Sequence, residues 1–179
     1  MAIKLNYKNI LFVTGGTGGH IFPALSTYYL IKNLSTNIFF ATDPRGLQNS
    51  ELLKLRPYLM NIVGFEGKNI FFKAYSMFLL FIGIFKAIIF LKKKNIKIVL
   101  GFGSYVQVPF ICAALILKCE IILHEANAVM GRANKLFWKY VKYRTSAFNL
   151  GANFKDTINI GMPVRKEILN LYKKNYNPP

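Results

Sequence analysis

Four glycines, a threonine and a histidine stand together near the amino terminus as Gly15-Gly16-Thr17-Gly18-Gly19-His20. They follow the apolar run Ile10 to Val13 and precede Ile21 to Asn33, a segment with helical apolar character and an early Pro23. At a strand-to-helix corner, glycines let the backbone approach a ligand closely and leave N–H groups at the helix start unpaired. That arrangement favours an anion, most often a phosphate. His20, one of two histidines in the chain, closes the loop, and a phosphate cradle with a titratable group on its rim points to group transfer. The spacing fails a Walker A loop, because Gly19-His20-Ile21 stands where Gly-Lys-Ser/Thr is required. A dinucleotide fingerprint begun at Gly16 finds Gly18 but meets Ile21 at its third glycine. Asp43, just past the apolar Ile38-Phe39-Phe40-Ala41, sits where a ribose-binding acid would, so a dinucleotide reading stays open.

Two further constellations carry chemistry. Gly101-Phe102-Gly103-Ser104-Tyr105 follows an apolar run, Ile96 to Leu100, and leads into another apolar helix. Glu120-Ile121-Ile122-Leu123 reads as a strand, with His124-Glu125-Ala126-Asn127 directly after it. Polar groups packed just beyond a buried strand face a site or cap a helix. Asn127 suits a cap, and His124 with Glu125 suits a structural pair, so those readings stand beside the functional one.

The elements that must position these residues alternate. Strands are expected near 9–14, 37–41, 59–63, 96–100, 120–124, 144–148 and 157–160, and helices over 20–33, 47–55, 73–94, 106–118, 131–142 and 165–174. Near-continuous apolar strands alternating with helices predict an α/β fold, a Rossmann-like doubly wound parallel sheet. In such a sheet all three constellations fall at the carboxyl ends of strands, the edge where ligands bind.

Composition narrows the partners. The 179 residues fit one ordinary domain, and 24 Lys and Arg against seven Asp and Glu give a net charge of +17, a bias toward anions. Aromatics sit in apolar runs rather than among arginines, and no helix-turn-helix, RNP or zinc-finger spacing is present, so nucleic acid is not an expected partner. Cys112 and Cys119 lie in or beside an apolar stretch without a partner motif and read as free thiols in a reducing compartment. Lys4 and Lys8 with only short apolar runs read as the approach to a first strand, not a signal peptide.

Residues 71–94 raise the question of a membrane. Ala74 to Phe85 is an unbroken apolar or neutral run, followed by Lys86, Ala87 to Leu91 and the closing Lys92-Lys93-Lys94. A spanning helix wants about 20 residues without a charge in the run. Phe71, Phe72, Phe78, Phe81 and Phe85 with Lys92, Lys93 and Lys94 predict a helix lying at an anionic membrane surface, in preference to a core helix or a span.

Together these residues resemble the MurG family of UDP-N-acetylglucosamine:undecaprenyl-diphospho-muramoylpentapeptide N-acetylglucosaminyltransferases. The resemblance rests on Gly15 through Ala24, Gly101 through Val106, His124-Glu125-Ala126-Asn127, Gly131 through Leu136, and Gly161-Met162-Pro163-Val164-Arg165, in order along the chain. It implies the N-terminal half of a GT-B glycosyltransferase of peptidoglycan synthesis. Such an enzyme moves N-acetylglucosamine from UDP-N-acetylglucosamine to undecaprenyl-linked lipid I with inversion, giving lipid II. It implies no metal or other cofactor, and a place on the cytoplasmic face of the bacterial inner membrane, docked through an apolar patch ringed by basic residues. Residues 1–164 would be the acceptor- and membrane-binding domain, and 165–179 a helix and linker toward a C-terminal donor-binding domain outside this chain, without which transfer is expected to be weak or absent.

Carried over to this sequence, Gly15, Gly16, Gly101, Gly103, Ser104 and Tyr105 would cradle the acceptor diphosphate. Thr17, Gly18, Gly19, Asn127 and Arg165 would meet the donor. An attacking sugar hydroxyl needs a base within hydrogen-bond reach, and only His20, His124 and Glu125 lie on the inferred edge. His20 is the expected base, with Glu125 its rival or its orienting partner. Two positions depart from the resemblance: Ala126 replaces a Gln, and Met162 an Asn.

Overall fold

The computed structural model describes residues 9–33, 37–62, 69–154 and 156–171. The approach to the first strand with Lys4 and Lys8, Val63 and the tail from 172 onward lie outside them.

Among the described residues, seven parallel strands form one sheet: β1 (Asn9–Val13), β2 (Asn37–Thr42), β3 (Tyr58–Leu59), β4 (Ile98–Gly101), β5 (Glu120–Glu125), β6 (Tyr143–Ser146) and β7 (Ile158–Asn159), in spatial order 3-2-1-4-5-6-7. The helices are α1 (Gly18–Ile31), α2 (Ser50–Lys54), α3 (Ile70–Lys93), α4 (Gln107–Ile116), α5 (Arg132–Phe137) and α6 (Lys166–Leu171). Alternate residues of each strand feed the two faces. Leu11, Val13, Val99, Ile121 and Leu123 pack in one core with Ala87, Leu91, Phe110 and Phe137 of α3, α4 and α5. Ile10, Phe12, Phe40 and Ile98 pack in the other with Ile21, Ala24 and Leu25 of α1 and Leu52 of α2. Burial on both faces is why these strands read as unbroken apolar runs. The doubly wound expectation holds, and the strand order reverses beside β1, which is flanked by β2 and β4.

Local chemistry moved several boundaries. The helix expected over 47–55 is a 3-10 turn (Gly46–Gln48) followed by α2, because Asn49 accepts the Leu52 N–H at 2.9 Å and starts a new helix. The helix expected over 131–142 ends at Phe137 in a 3-10 turn (Trp138–Tyr140), which buries Trp138 and returns the chain to β6. The outermost strands, β3 and β7, are only two residues each.

Helix α3 is capped by Asn69, whose Oδ1 accepts the Phe72 N–H at 3.0 Å. One stripe, including Ser76, Gly83, Ala87 and Leu91, is buried, and Gly83 brings the helix close to Pro109 of α4. The opposite stripe leaves Phe71, Phe78, Phe81, Phe85 and Lys86 exposed, while Phe72 is half-buried. Ala74–Lys93 is long and apolar enough to cross a membrane by length and composition, but its buried stripe is committed to this fold. Lys92 and Lys93 sit in the last turn, where cations complement the helix dipole, and Lys94 lies 5.2 Å from the Phe39 ring. Because α3 joins the carboxyl end of β3 to the amino end of β4, its lysines lie at the sheet edge opposite Phe71. The helix has 24 residues, which at about 1.5 Å each separates its ends by about 36 Å.

Candidate functional site

The loop after β1 and the loop after β4 face each other where the strand order reverses, and a cleft of about 390 Å³ opens between them and the loop after β5. It is lined by Gly16, Thr17 and His20 on one side and Gly103, Ser104 and Tyr105 on the next. Glu125, Gly131 to Asn134 and Arg45 complete it.

The first loop is built on a buried carboxylate. Asp43, directly after β2, accepts the Gly16 and Gly46 N–H groups on Oδ1, both at 2.9 Å. Its Oδ2 accepts Arg45 Nε at 3.2 Å and Nη2 at 3.0 Å. A Cβ on Gly15 would stand 2.9 Å from Asp43 Oδ1, so the close approach of loop and carboxylate needs glycine there. With four donors on two oxygens, Asp43 has no lone pair left for a ribose, and this corrects the dinucleotide reading. Thr17 is the N-cap of α1, extended, and makes no side-chain capping bond. The first-turn N–H groups at Gly18 and Gly19 therefore face outward beside the exposed Thr17, at the positive end of a 14-residue helix.

The second loop meets the first through His20. A Cβ on Gly103 would fall 2.6 Å from His20 Nδ1, and Gly103 holds φ +98°, so the imidazole rests on bare backbone. His20 Nδ1 is buried there without a partner among the described residues. Nε2 is the ring nitrogen open to the cleft, and for it to accept a proton the neutral ring carries its hydrogen on Nδ1. Ser104 follows at φ +70°, a left-handed conformation unusual for a residue with a side chain, and its Oγ comes within 3.3 Å of where a Gly16 Cβ would be. Gly101 is buried under this loop against Gln107 and Leu123.

The third wall hangs on Glu125, which is 1% exposed. Its Oε1 accepts the Asn127 N–H at 2.9 Å and Asn127 Nδ2 at 2.8 Å, and its Oε2 accepts the Gly131 N–H and Asn134 Nδ2, both at 2.9 Å. Asn134 Oδ1 in turn accepts Gln107 Nε2 at 2.7 Å, and Gln107 Oε1 accepts the Gly103 N–H at 3.0 Å. One buried polar chain thus ties the third wall to the second. A carboxylate holding four donors frames the wall, and no hydrogen bond joins Glu125 to His20 among the described residues. Asn127 is not a helix cap: Gly131 precedes α5, and Asn127 folds back on Glu125. His124, 4% exposed, donates from Nδ1 to Thr145 Oγ1 at 3.1 Å, the Thr145 hydroxyl being spent on Leu123 O. Burial pushes its pKa down to about 4 against the opposing pull of Glu125, so His124 is a neutral core residue.

Of the sequence-predicted residues, the cleft lining gathers Gly16, Thr17, His20, Gly103, Ser104, Tyr105 and Glu125. Gly15 and Gly101 lie buried beneath it and supply room rather than contacts. Gly18, Gly19 and Asn127 are not among the residues that line it. Arg165 reaches the start of α1 from the far end of the chain, its guanidinium 4.3 Å above the Phe22 ring that packs against Gly18. Ala126 is buried and Met162 exposed, neither lining the cleft. Sequence reading missed Arg45, Gln107 and Asn134; a Gln buried in an apolar helix was the one available signal. The thiols of Cys112 and Cys119 are free, and burial raises both pKa values. Among the described residues no cluster of His, Cys, Asp and Glu could hold a metal ion.

Residues 10–145 match the glycosyltransferase family 28 N-terminal domain. A UDP-N-acetylglucosamine--N-acetylmuramyl-(pentapeptide) pyrophosphoryl-undecaprenol N-acetylglucosamine transferase from Buchnera aphidicola is 33% identical over 168 residues, covering 93% of this chain and 48% of the relative. The enzyme of that name from Francisella tularensis is 34% identical over 185 residues, covering 96% and 49%. The crystal structure of Acinetobacter baumannii MurG matches with a TM-score of 0.74 at 25% identity, over 96% of this chain and 50% of that one. A UDP-N-acetylglucosamine 2-epimerase from Rickettsia bellii, TM-score 0.63 at 14% identity over 93% of this chain and 48% of that one, shares the fold. The chain spans about half the length of the curated relatives it matches.

Proposed function

Because the chain belongs to glycosyltransferase family 28, we propose that its cleft is the acceptor half of a transferase that moves N-acetylglucosamine from UDP-N-acetylglucosamine to undecaprenyl-diphospho-muramoylpentapeptide. The observation that carries this reading is the open amino end of α1. Its N–H groups and the Thr17 hydroxyl, met by the Gly103-Ser104 loop, suit a diphosphate. The reading is also supported by the names of the relatives, which pair this sequence pattern with a pyrophosphoryl-undecaprenol acceptor.

With the diphosphate seated between the glycine loops, the acceptor sugar lies over His20. The sugar 4-hydroxyl attacks C1 of N-acetylglucosamine from the face opposite UDP. The C1–O bond to UDP breaks as the new glycosidic bond forms, the configuration inverts, and His20 Nε2 takes the hydroxyl proton. The negative charge leaves on UDP, which Arg165 and the α1 amino end would meet. Asn127 would contact the donor sugar. A second domain, which the greater length of the relatives accommodates, would complete the donor site.

The exposed aromatic stripe of α3 and its lysines would lay the domain on the anionic cytoplasmic face of the inner membrane, bringing a lipid-linked acceptor to the cleft. Because aromatics and lysines are spread along the whole helix, α3 would lie flat. The test is transfer of labelled N-acetylglucosamine to a lipid I analogue, by the chain alone and with a relative's C-terminal domain supplied. Activity is expected only in the second case, and His20→Ala should lower that rate by about a hundredfold or more. An unchanged rate in His20→Ala removes His20 as the base; no transfer under either condition contradicts the transferase reading.

A further inference from the structure

Arg45 is the cation of the first wall, and its position is set from below. The side chain is 64% exposed, while the carboxylate that holds it is 7% exposed. Asp43 engages only Nε and Nη2, through Oδ2 alone. Three guanidinium hydrogens remain, two on Nη1 and one on Nη2. The same Asp43 grips the Gly16 N–H through Oδ1, so the glycine loop and the guanidinium are set by one rigid group. Arg45 Nη2 lies 3.4 Å from where a Gly16 Cβ would stand, and Arg45 lines the cleft with Thr17, His20 and Ser104. Of the two buried carboxylates, Asp43 is paired with Arg45 and Glu125 has its lone pairs taken by four neutral donors on the far wall.

We infer that Arg45 is a substrate-binding residue that grips the diphosphate, its free guanidinium edge reaching one phosphoryl group while the α1 amino end and Ser104 hold the other. This rests on the acceptor reading above. A fork of N–H donors matches phosphate oxygens in a way that a lysine ammonium does not. The role of Asp43 follows from it: Asp43 positions Arg45 and touches no ligand. The chain from Asp43 thereby does two jobs, shaping the loop and holding the charge that the loop's backbone dipoles lack.

Calorimetric titration of the full chain with inorganic pyrophosphate, farnesyl diphosphate and inorganic phosphate tests the assignment. Arg45→Ala should weaken pyrophosphate and farnesyl diphosphate binding about tenfold or more, as for loss of charge-assisted hydrogen bonds. It should weaken phosphate less and lower the melting temperature less than Asp43→Asn does, since Asp43 keeps its two backbone donors when Arg45 is removed. Arg45→Lys should restore part of the loss, and Asp43→Asn should lose both affinity and stability. If the unaltered chain binds the diphosphates and Arg45→Ala binds them equally well, the assignment to Arg45 falls while the acceptor reading stands. Equal weakening for phosphate and diphosphate, or a melting drop in Arg45→Ala as large as in Asp43→Asn, also overturns it. No diphosphate binding by the unaltered chain overturns the acceptor reading and this assignment together.

Discussion

Two buried carboxylates hold opposite walls of the cleft, and each accepts four hydrogen bonds. Asp43 takes two backbone N–H groups and an arginine, whereas Glu125 takes two backbone N–H groups and the amides of Asn127 and Asn134. The arginine balances the charge of Asp43 and turns its unused N–H groups out to solvent. The amides leave the charge of Glu125 buried and spend it on shape. One wall therefore presents a positive edge to a ligand, and the other presents a rigid frame with its polar atoms consumed. A carboxylate at the end of a sheet strand looks catalytic in either case, and only the count of its donors shows that the lone pairs of both are engaged.

The comparison breaks first at Glu125. Glu125→Ala strips the acceptor from four donors at once and should cost about 3–5 kcal/mol of stability in urea unfolding. A loss below about 1 kcal/mol would mean that the frame does not depend on Glu125, and would favour it as a base.

The neighbour of Glu125 sharpens the contrast, because His124 is buried in the core whereas His20, on the Asp43 wall, lines the cleft. His124 has its pKa held down to about 4 by burial, while in the unfolded chain it protonates near 6.5. Stability is fully present above the unfolded value and is lost as pH falls toward the folded one, by up to about 3 kcal/mol. Denaturation midpoints at pH 7.5 and 4.5 should show this fall, and His124→Asn should reduce the difference. The same slope in both proteins would place the acid sensitivity elsewhere.

Ser104 should give the smallest effect. Its left-handed conformation (φ +70°) is relieved by Ser104→Gly, which should stabilise the chain by up to about 1 kcal/mol. The same change removes a hydroxyl from the cleft, so diphosphate affinity should fall as stability rises. A parallel rise in both would show that the strain at Ser104 serves no ligand.

What was legible in the sequence follows from how far apart the cooperating residues are. The strands announce themselves because burial on both faces makes Ile10 to Val13 and Ile121 to Leu123 continuous in apolar character. The glycine loops are legible because each is local, a turn and a helix start within six residues. Asp43 meets Gly16 across 27 positions, and Gln107 meets Asn134 across the same separation, so no local pattern joins them. Glu125 lines the cleft and His124 beside it does not, because alternation along β5 turns one into the loop frame and the other into the core. The lysines closing α3 read as part of a membrane patch with Phe71, and only strand direction shows that they stand at the opposite edge of the sheet.

The most direct test of the diphosphate site is a backbone amide NMR titration of the isotope-labelled chain with farnesyl diphosphate. The account predicts the largest shifts at Gly16, Gly18, Gly19, Gly103 and Ser104, with smaller ones at Gly131 and none along α6. Shifts absent from the two glycine loops, or centred on another part of the surface, would contradict it.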